Sequence, residues 1–343
     1  CIMSKQTFDL RSDTFTKATV AMKEAMFSAE VGDDVFAEDP SINLLQEKAA
    51  KMFGKEAALF CPSGTMTNQI GLGVHLNNGD EVICHNDYHI FRYEGGGIAA
   101  NSGAQAYCLQ GTDNGKFSLD ELQEAIHAPD SHNPVSKVLS IENSTNRGGG
   151  DFWTIDELKP LIQLARENNL KTHLDGARLF NALVESGDTT LEYGELFDTI
   201  SICLSKGLGC PVGSLLIGSE KDIRLAHRIR KRMGGGMRQA GLLAAAGTYA
   251  LDHHIERLKD DHKLAKALAE IFEKLPEVTS IKPVKTNIVI INFESNLALN
   301  NCIDTLKSHN ILALPFGFKS LRLVTHYDVK SDVIEATKNA LFS

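Results

Sequence analysis

Two short apolar runs, residues 171–174 and 199–204, each end in a group that could do chemistry. The first closes on Asp175 and the second on Ser205-Lys206. Both have the length and composition of buried strands. In an open parallel sheet, ligands sit outside the carboxyl ends of the strands. A carboxylate and an amine therefore fall at one sheet edge, 31 positions apart (206 − 175). Pyridoxal phosphate has a use for both. It needs an amine for a Schiff base and a carboxylate to keep its pyridine nitrogen protonated. Glycines at 207 and 209 would let the backbone approach a flat ring. Taken singly, Asp175 could cap a helix and Lys206 could be a solvated loop lysine, so the surrounding motifs decide.

The stretch A-A-L-F-C-P-S-G-T-M-T-N predicts a strand at 57–61, broken at Pro62, and a helix opening near Ser63-Gly64-Thr65. Free N–H groups, a glycine and two hydroxyls at a helix start make an anion pocket, although such caps are often only structural. The Walker pattern G-x-x-x-x-G-K-[ST] is absent. His89 lies just past the strand E-V-I-C-H, among aromatic neighbours. It could stack on a cofactor ring or serve as a base, and a hydrogen-bonded loop histidine is the plainer alternative. K-V-L-S-I-E-N-S-T-N predicts a further strand whose end carries polar groups.

These groups must be held by a regular frame. Strands and helices alternate from about 55 to 218, with capping boxes at Ser118–Glu121 and Thr154–Glu157. That is an α/β doubly wound pattern with a mostly parallel sheet. Before it, residues 7–40 are rich in Asp, Ser and Thr and read as an arm rather than a packed strand. Leu44, Leu45, Ala49 and Met52 predict a helix over 41–54. A basic helix over 221–233 leads into M-G-G-G-M-R-Q, and the Gly/Ala-rich run 240–251 suits close packing against a partner subunit. A long amphipathic helix over 255–275 precedes Pro276 and a smaller α+β region. The expected division is an arm and large domain over 1–250 and a small domain over 251–343.

Composition narrows the function. A chain of 343 residues favours two domains. A net charge of −9 argues against nucleic acid as a partner. No apolar run approaches the roughly 20 residues of a membrane span. Met3 reads as the native start, and the first residues lack the apolar region of a secretory signal. Seven cysteines with no C-x-x-C pair predict free thiols and a cytoplasmic location. No metal-ligand spacing is present, so no metal is expected. No G-x-G-x-x-G follows an early strand, which disfavours a nucleotide-dependent oxidoreductase. A non-catalytic binding protein on this frame would have no need of Lys206.

Together, D-L-R-S-D-T, V-G-D-D-V-F-A-E-D-P, F-C-P-S-G-T-M-T-N, H-I-F-R-Y-E, L-D-G-A-R-L-F-N-A, C-L-S-K-G-L-G-C-P-V-G and M-G-G-G-M-R-Q resemble the threonine aldolases. These belong to the β-eliminating lyase branch of the aspartate-aminotransferase fold. The resemblance runs from Asp9 to Thr325, with the motifs in the family's order. It implies a pyridoxal phosphate-dependent enzyme of transferase fold type I. The implied reaction cleaves L-threonine, L-allo-threonine or a related β-hydroxy-α-amino acid to glycine and an aldehyde. β-Elimination or racemisation on the same cofactor is the nearest alternative. Carried over by motif, Lys206 is the Schiff-base lysine and Asp175 the pyridine partner. Gly64 and Thr65, helped by Ser205, form the phosphate cradle, and His89 stacks on the ring and stands near the reacting atoms. Ser12, Arg178 and Arg322 bind the substrate carboxylate, with Arg178 also facing the cofactor. Lys231 and Arg238 reach the site from a neighbouring subunit, in a homotetramer of two tight dimers.

One departure bears on substrate choice. The family often reads E-N-T-H-N, whereas this chain reads E-N-S-T-N, with Thr145 where a histidine near the substrate hydroxyl is common. The expectation is that Thr145 alters that contact and the threo/erythro preference. A second departure, Ala18 in place of a usual proline, reads as structural.

Overall fold

The computed structural model describes residues 6–342, so the expected start at Met3 lies outside them. The part of the chain up to Gly218 contributes strands β1 (Phe8–Asp9), β2 (Ala57–Cys61), β3 (Asp80–His85), β4 (Gln105–Leu109), β5 (Val135–Glu142), β6 (Lys171–Gly176), β7 (Thr199–Cys203) and β8 (Ser214–Gly218). Seven of them form one sheet in the order β2-β8-β7-β6-β5-β3-β4. β3 through β7 pair in parallel, and β8 runs antiparallel to both β7 and β2. β3 and β7 are buried along their whole length, as expected of strands covered on both faces.

From β3 the chain first moves outward to β4 and then returns inside to β5. The direction of winding therefore reverses between β3 and β5, and a crevice opens beyond their carboxyl ends. The covering helices start where side chains satisfy their first N–H groups. Ser63 caps the helix Gly64–Gly73, and full capping boxes open Leu119–Ala125 and Ile155–Glu167.

The C-terminal part adds β9 (Val278–Ile281), β10 (Ile288–Phe293), β11 (Ile311–Leu312), β12 (Leu314–Pro315) and β13 (Ser320–Val324). β12-β13-β10-β9 make a small antiparallel sheet, backed by the helices Leu258–Phe272, Asn296–Ser308 and Asp332–Phe342. The N-terminal arm is more regular than expected. β1 pairs in parallel with β11, and Phe8 and Leu10 are buried in the same apolar cluster as Leu268, Phe272 and Leu323. Backbone pairing with a distant edge supplies what the arm's own polar sequence does not. No helix of the described residues is long and apolar enough to cross a membrane.

Candidate active site

Four strand ends meet at the crevice. His89 follows β3, Glu142 ends β5, Asp175 lies in β6, and Ser205-Lys206 follow β7. The register places Glu142 beside Asp175. Above them lies a cavity of about 370 Å³. Ser12, His89, Arg178, Lys206 and Arg322, all expected, line it. Thr14, Tyr93, Asn146 and Phe316 complete the wall and were not anticipated.

Beneath His89 is a closed hydrogen-bond network. Asp175 Oδ2 accepts from Asn68 Nδ2 at 2.8 Å, and its Oδ1 accepts from the Ala177 N–H at 3.1 Å. The same Asn68 amide donates to Glu94 Oε1 at 2.8 Å, Gln69 Nε2 donates to Glu94 Oε2 at 2.6 Å, and His89 Nδ1 lies 2.8 Å from Glu94 Oε1. Burial pushes the His173 imidazole down to about 3, so it is neutral, and its Nε2 lies 3.2 Å from Asn68 Oδ1. A donating Nε2–H there turns the Asn68 oxygen toward His173 and its amide toward the two carboxylates. Ligand atoms of His89, Glu94 and Asp175 lie within 4.8 Å of one another, and these hydrogen bonds already tie them together.

Burial opposes charge on His89, yet the Glu94 hydrogen bond and the Asp175 charge raise its affinity for a proton above the ordinary histidine value. Burial and the Asp175 charge push Glu142 up to about 7, although the N–H groups of Asn146 and His89 favour its ionised form.

The opposite wall is cationic. Arg178 donates from Nε to Asp13 Oδ2 at 2.8 Å and from Nη2 to Asp13 Oδ1 at 2.6 Å, a buried bidentate pair. Burial raises the Asp13 carboxyl, but Arg178 and the nearby Lys206 charge outweigh that and hold it at about 2. Thr16 Oγ1 bonds the backbone oxygens of Asp13 and Lys206, so the N-terminal loop braces the lysine. Arg322, on β13, donates to Asn146 Oδ1 at 3.0 Å and stacks on Phe316 at 4.8 Å. Burial and the Arg178 charge lower Arg322 to about 10, the mark of a cation in need of an anion.

Several expected residues do not line this cavity. Gly64 opens its helix so close to β7 that a Cβ there would sit 2.5 Å from Cys203 Sγ. Buried Ser214 Oγ, which has no hydrogen-bond partner, is 3.6 Å from the same point. Thr65 is exposed beside Gly64, and Ser205 is half-buried next to Lys206. Lys231 and Arg238 are exposed and outside the cavity, with Arg238 Nη1 2.9 Å from Asp33 Oδ2.

Thr145 departs from the expected substrate contact. Its hydroxyl points away from the cavity and donates to the backbone oxygens of Asn114, at 2.8 Å, and Asp151, at 3.1 Å. Two strong acceptors in the adjoining loops use up the group that was to meet substrate. The glycines after Lys206 also have local structural reasons. A Cβ at Gly207 would collide with Leu258 Cδ2 at 2.9 Å, and Gly209 has a φ of +80°. Packing against Leu258 and a left-handed turn favour glycine at these two positions.

Asn68, Glu94 and Glu142 were also missed. Glu142 carried a readable signal, because it closes an apolar run on a carboxylate just as Asp175 does.

An open α/β sheet with an amine, a buried carboxylate and an arginine at the carboxyl ends of its strands defines a class of cofactor enzyme. The family model described as Beta-eliminating lyase matches residues 9–296, and the chain belongs to that family. It is 41% identical over 326 residues to the low specificity L-threonine aldolase of Escherichia coli (strain K12), covering 94% of this chain and 95% of that one. It is 38% identical over 341 residues to low-specificity L-threonine aldolase 1 of Arabidopsis thaliana, covering 98% and 95%. The solved threonine aldolase of Leishmania major superposes with a TM-score of 0.84 at 21% identity, covering 97% of this chain and 98% of that one, which shows the shared fold.

Proposed function

We propose that the chain is a pyridoxal phosphate-dependent carbon–carbon lyase. It cleaves L-threonine, L-allo-threonine or a related β-hydroxy-α-amino acid to glycine and an aldehyde. The observation that carries this reading is the convergence of Lys206, His89 and Arg322 on one cavity beside buried Asp175. The residues fit the cofactor. Asp175 is a buried carboxylate with no salt bridge among the described residues, suited to a protonated ring nitrogen. The start of the helix Gly64–Gly73, with the orphaned Ser214 hydroxyl nearby, suits a phosphate. Gly64, Thr65 and Ser205 form that cradle.

When bound, the cofactor supplies the electron sink for the Cα–Cβ bond. Lys206 would hold the cofactor through its side-chain amine. Arg322 and Ser12 bind the substrate carboxylate, with Arg178 fixed behind them by Asp13. This clamp sets which bond at Cα faces the sink. His89, directly or through one water, accepts the proton of the β-hydroxyl. Thr14, Tyr93 and Phe316 bound the space left for the aldehyde portion.

Three further parts belong to this reading. The site is completed in a homotetramer by Lys231 and Arg238 of a neighbouring subunit. Their exposure, and the exposed Val20, Phe27, Phe36 and Leu44, support a covering second copy. The location is cytoplasmic, which the free cysteines support. The large and small domains divide near residue 250, with separate apolar clusters in support.

The test is product analysis on purified protein given L-threonine and L-allo-threonine. Glycine with acetaldehyde is the expected outcome. Pyruvate with ammonia, or a D-amino acid, would replace this reading with β-elimination or racemisation. Lys206→Ala should remove both aldehyde production and the visible absorbance of the bound cofactor.

A further inference from the structure

Glu142 is an unusual use of a buried carboxylate. Its residue is 2% exposed, and it forms no salt bridge among the described residues. Taking a carboxylate out of water is costly unless strong donors replace the water. Both replacements here are backbone N–H groups from different segments. Oε2 accepts from the His89 N–H at 2.6 Å, and Oε1 accepts from the Asn146 N–H at 2.7 Å.

Each donor leads to a wall of the cavity. His89 is the first residue of the short helix His89–Arg92, whose N-cap, Tyr88, makes no side-chain cap hydrogen bond. Glu142 reaches across from β5 and caps it from outside, which fixes the height and tilt of the imidazole. Asn146 carries the other arm. Its backbone is held by Glu142 while its side-chain oxygen accepts from Arg322 Nη1 at 3.0 Å. One carboxylate thus holds the histidine on one side and, through one intermediary, the arginine on the other.

We propose that Glu142 is a positioning residue that sets the distance between the His89 wall and the Arg322 clamp, and so couples proton acceptance to carboxylate binding. The inference rests on the lyase reading for the roles of those two residues. Glutamine at 142 would keep the size but present an amide donor to one of the two N–H groups, so only one tie could survive. Aspartate would keep the charge but is one methylene too short to span both.

Amide hydrogen exchange on the cofactor-free protein provides a readout independent of turnover. In the wild type, the His89 and Asn146 amides should both be protected. In Glu142→Gln and Glu142→Asp, exchange at one or both should speed up roughly tenfold or more, the scale of one lost charge-assisted hydrogen bond, with the Asp175 strand unchanged. In the holoenzyme, both variants should raise KM for threonine and lower kcat together. Asn146→Ala, which breaks only the Arg322 arm, should raise KM and leave the His89 amide as protected as in the wild type.

Unprotected amides in the wild type would overturn the inference without any variant, even if Glu142→Gln fails to fold. Folded variants with wild-type exchange and kinetics would overturn it too. So would Glu142→Asp matching wild type while Glu142→Gln does not, since charge alone would then be the role. A wild-type protein that makes no aldehyde would sink the lyase reading instead, and the exchange result would still stand.

Discussion

Arg178 and Asp13 lie 165 positions apart and meet as a buried two-point ion pair, Nε to Oδ2 and Nη2 to Oδ1. Two of the donors expected to grip substrate are therefore already committed to a carboxylate of the protein. Asp13→Ala would leave a buried guanidinium unpaired, which costs roughly 3–5 kcal/mol. Thermal unfolding should show the loss as a large fall in Tm, and an unchanged Tm would mean that the pair is not formed. Acid should act in the same direction. Asp13 is held at about 2 against an ordinary value of 3.8. This lowered value contributes about 2 kcal/mol above pH ~4, lost as pH falls through the folded value.

Arg322 is then the principal clamp. Arg322→Ala should raise KM for threonine by roughly 10- to 100-fold, the worth of a charge-assisted hydrogen bond. Arg322→Lys should recover only part of this, because a point charge cannot reproduce the guanidinium fork. Steady-state kinetics decides. An equal effect from Arg178→Lys alone would move the clamp back to Arg178.

His89 must be neutral to accept a proton, and Glu94 and Asp175 together raise it above the ordinary histidine range. The rate should therefore climb as pH rises through that raised value. Glu94→Gln removes a raising influence, so the acid limb of kcat/KM should move to lower pH. A limb that stays in place would assign it to another group.

Thr145 bonds two backbone oxygens away from the cavity. Thr145→Val should lower stability by about 1–3 kcal/mol, the cost of leaving the Asn114 oxygen without this donor, while the Asp151 oxygen keeps the Thr145 N–H. KM and the ratio of activity on threonine and allo-threonine should not change. A shift in that ratio would show that the loop turns the hydroxyl toward substrate during turnover.

The sequence made the main frame legible because its signals are local. The runs ending at Asp175 and Lys206 are apolar, short and closed by reactive groups, and the structure places both at one sheet edge. Thr145 was misread because its direction depends on Asn114 and Asp151, acceptors supplied by neighbouring loops. Arg178 was recognised as a cation at the site, but nothing near it in the chain announces Asp13 as its partner. Asn68 and Glu94 escaped notice for a similar reason. Their roles arise from one amide shared between two carboxylates, a relationship that exists only after folding.

The pairing of β1 with β11 has a consequence in time. Ser12, Asp13 and Thr16 follow a strand whose partner is Ile311–Leu312. Ribosomes deliver the chain from its N-terminus, at roughly 5–20 residues per second. The first strand therefore leaves the ribosome with no edge to join until about 300 further residues have been made. The large sheet can form meanwhile, but the brace on Lys206 and the partner of Arg178 settle only after β11 appears. Catalytic competence thus waits on the C-terminal region, even after the large sheet has formed.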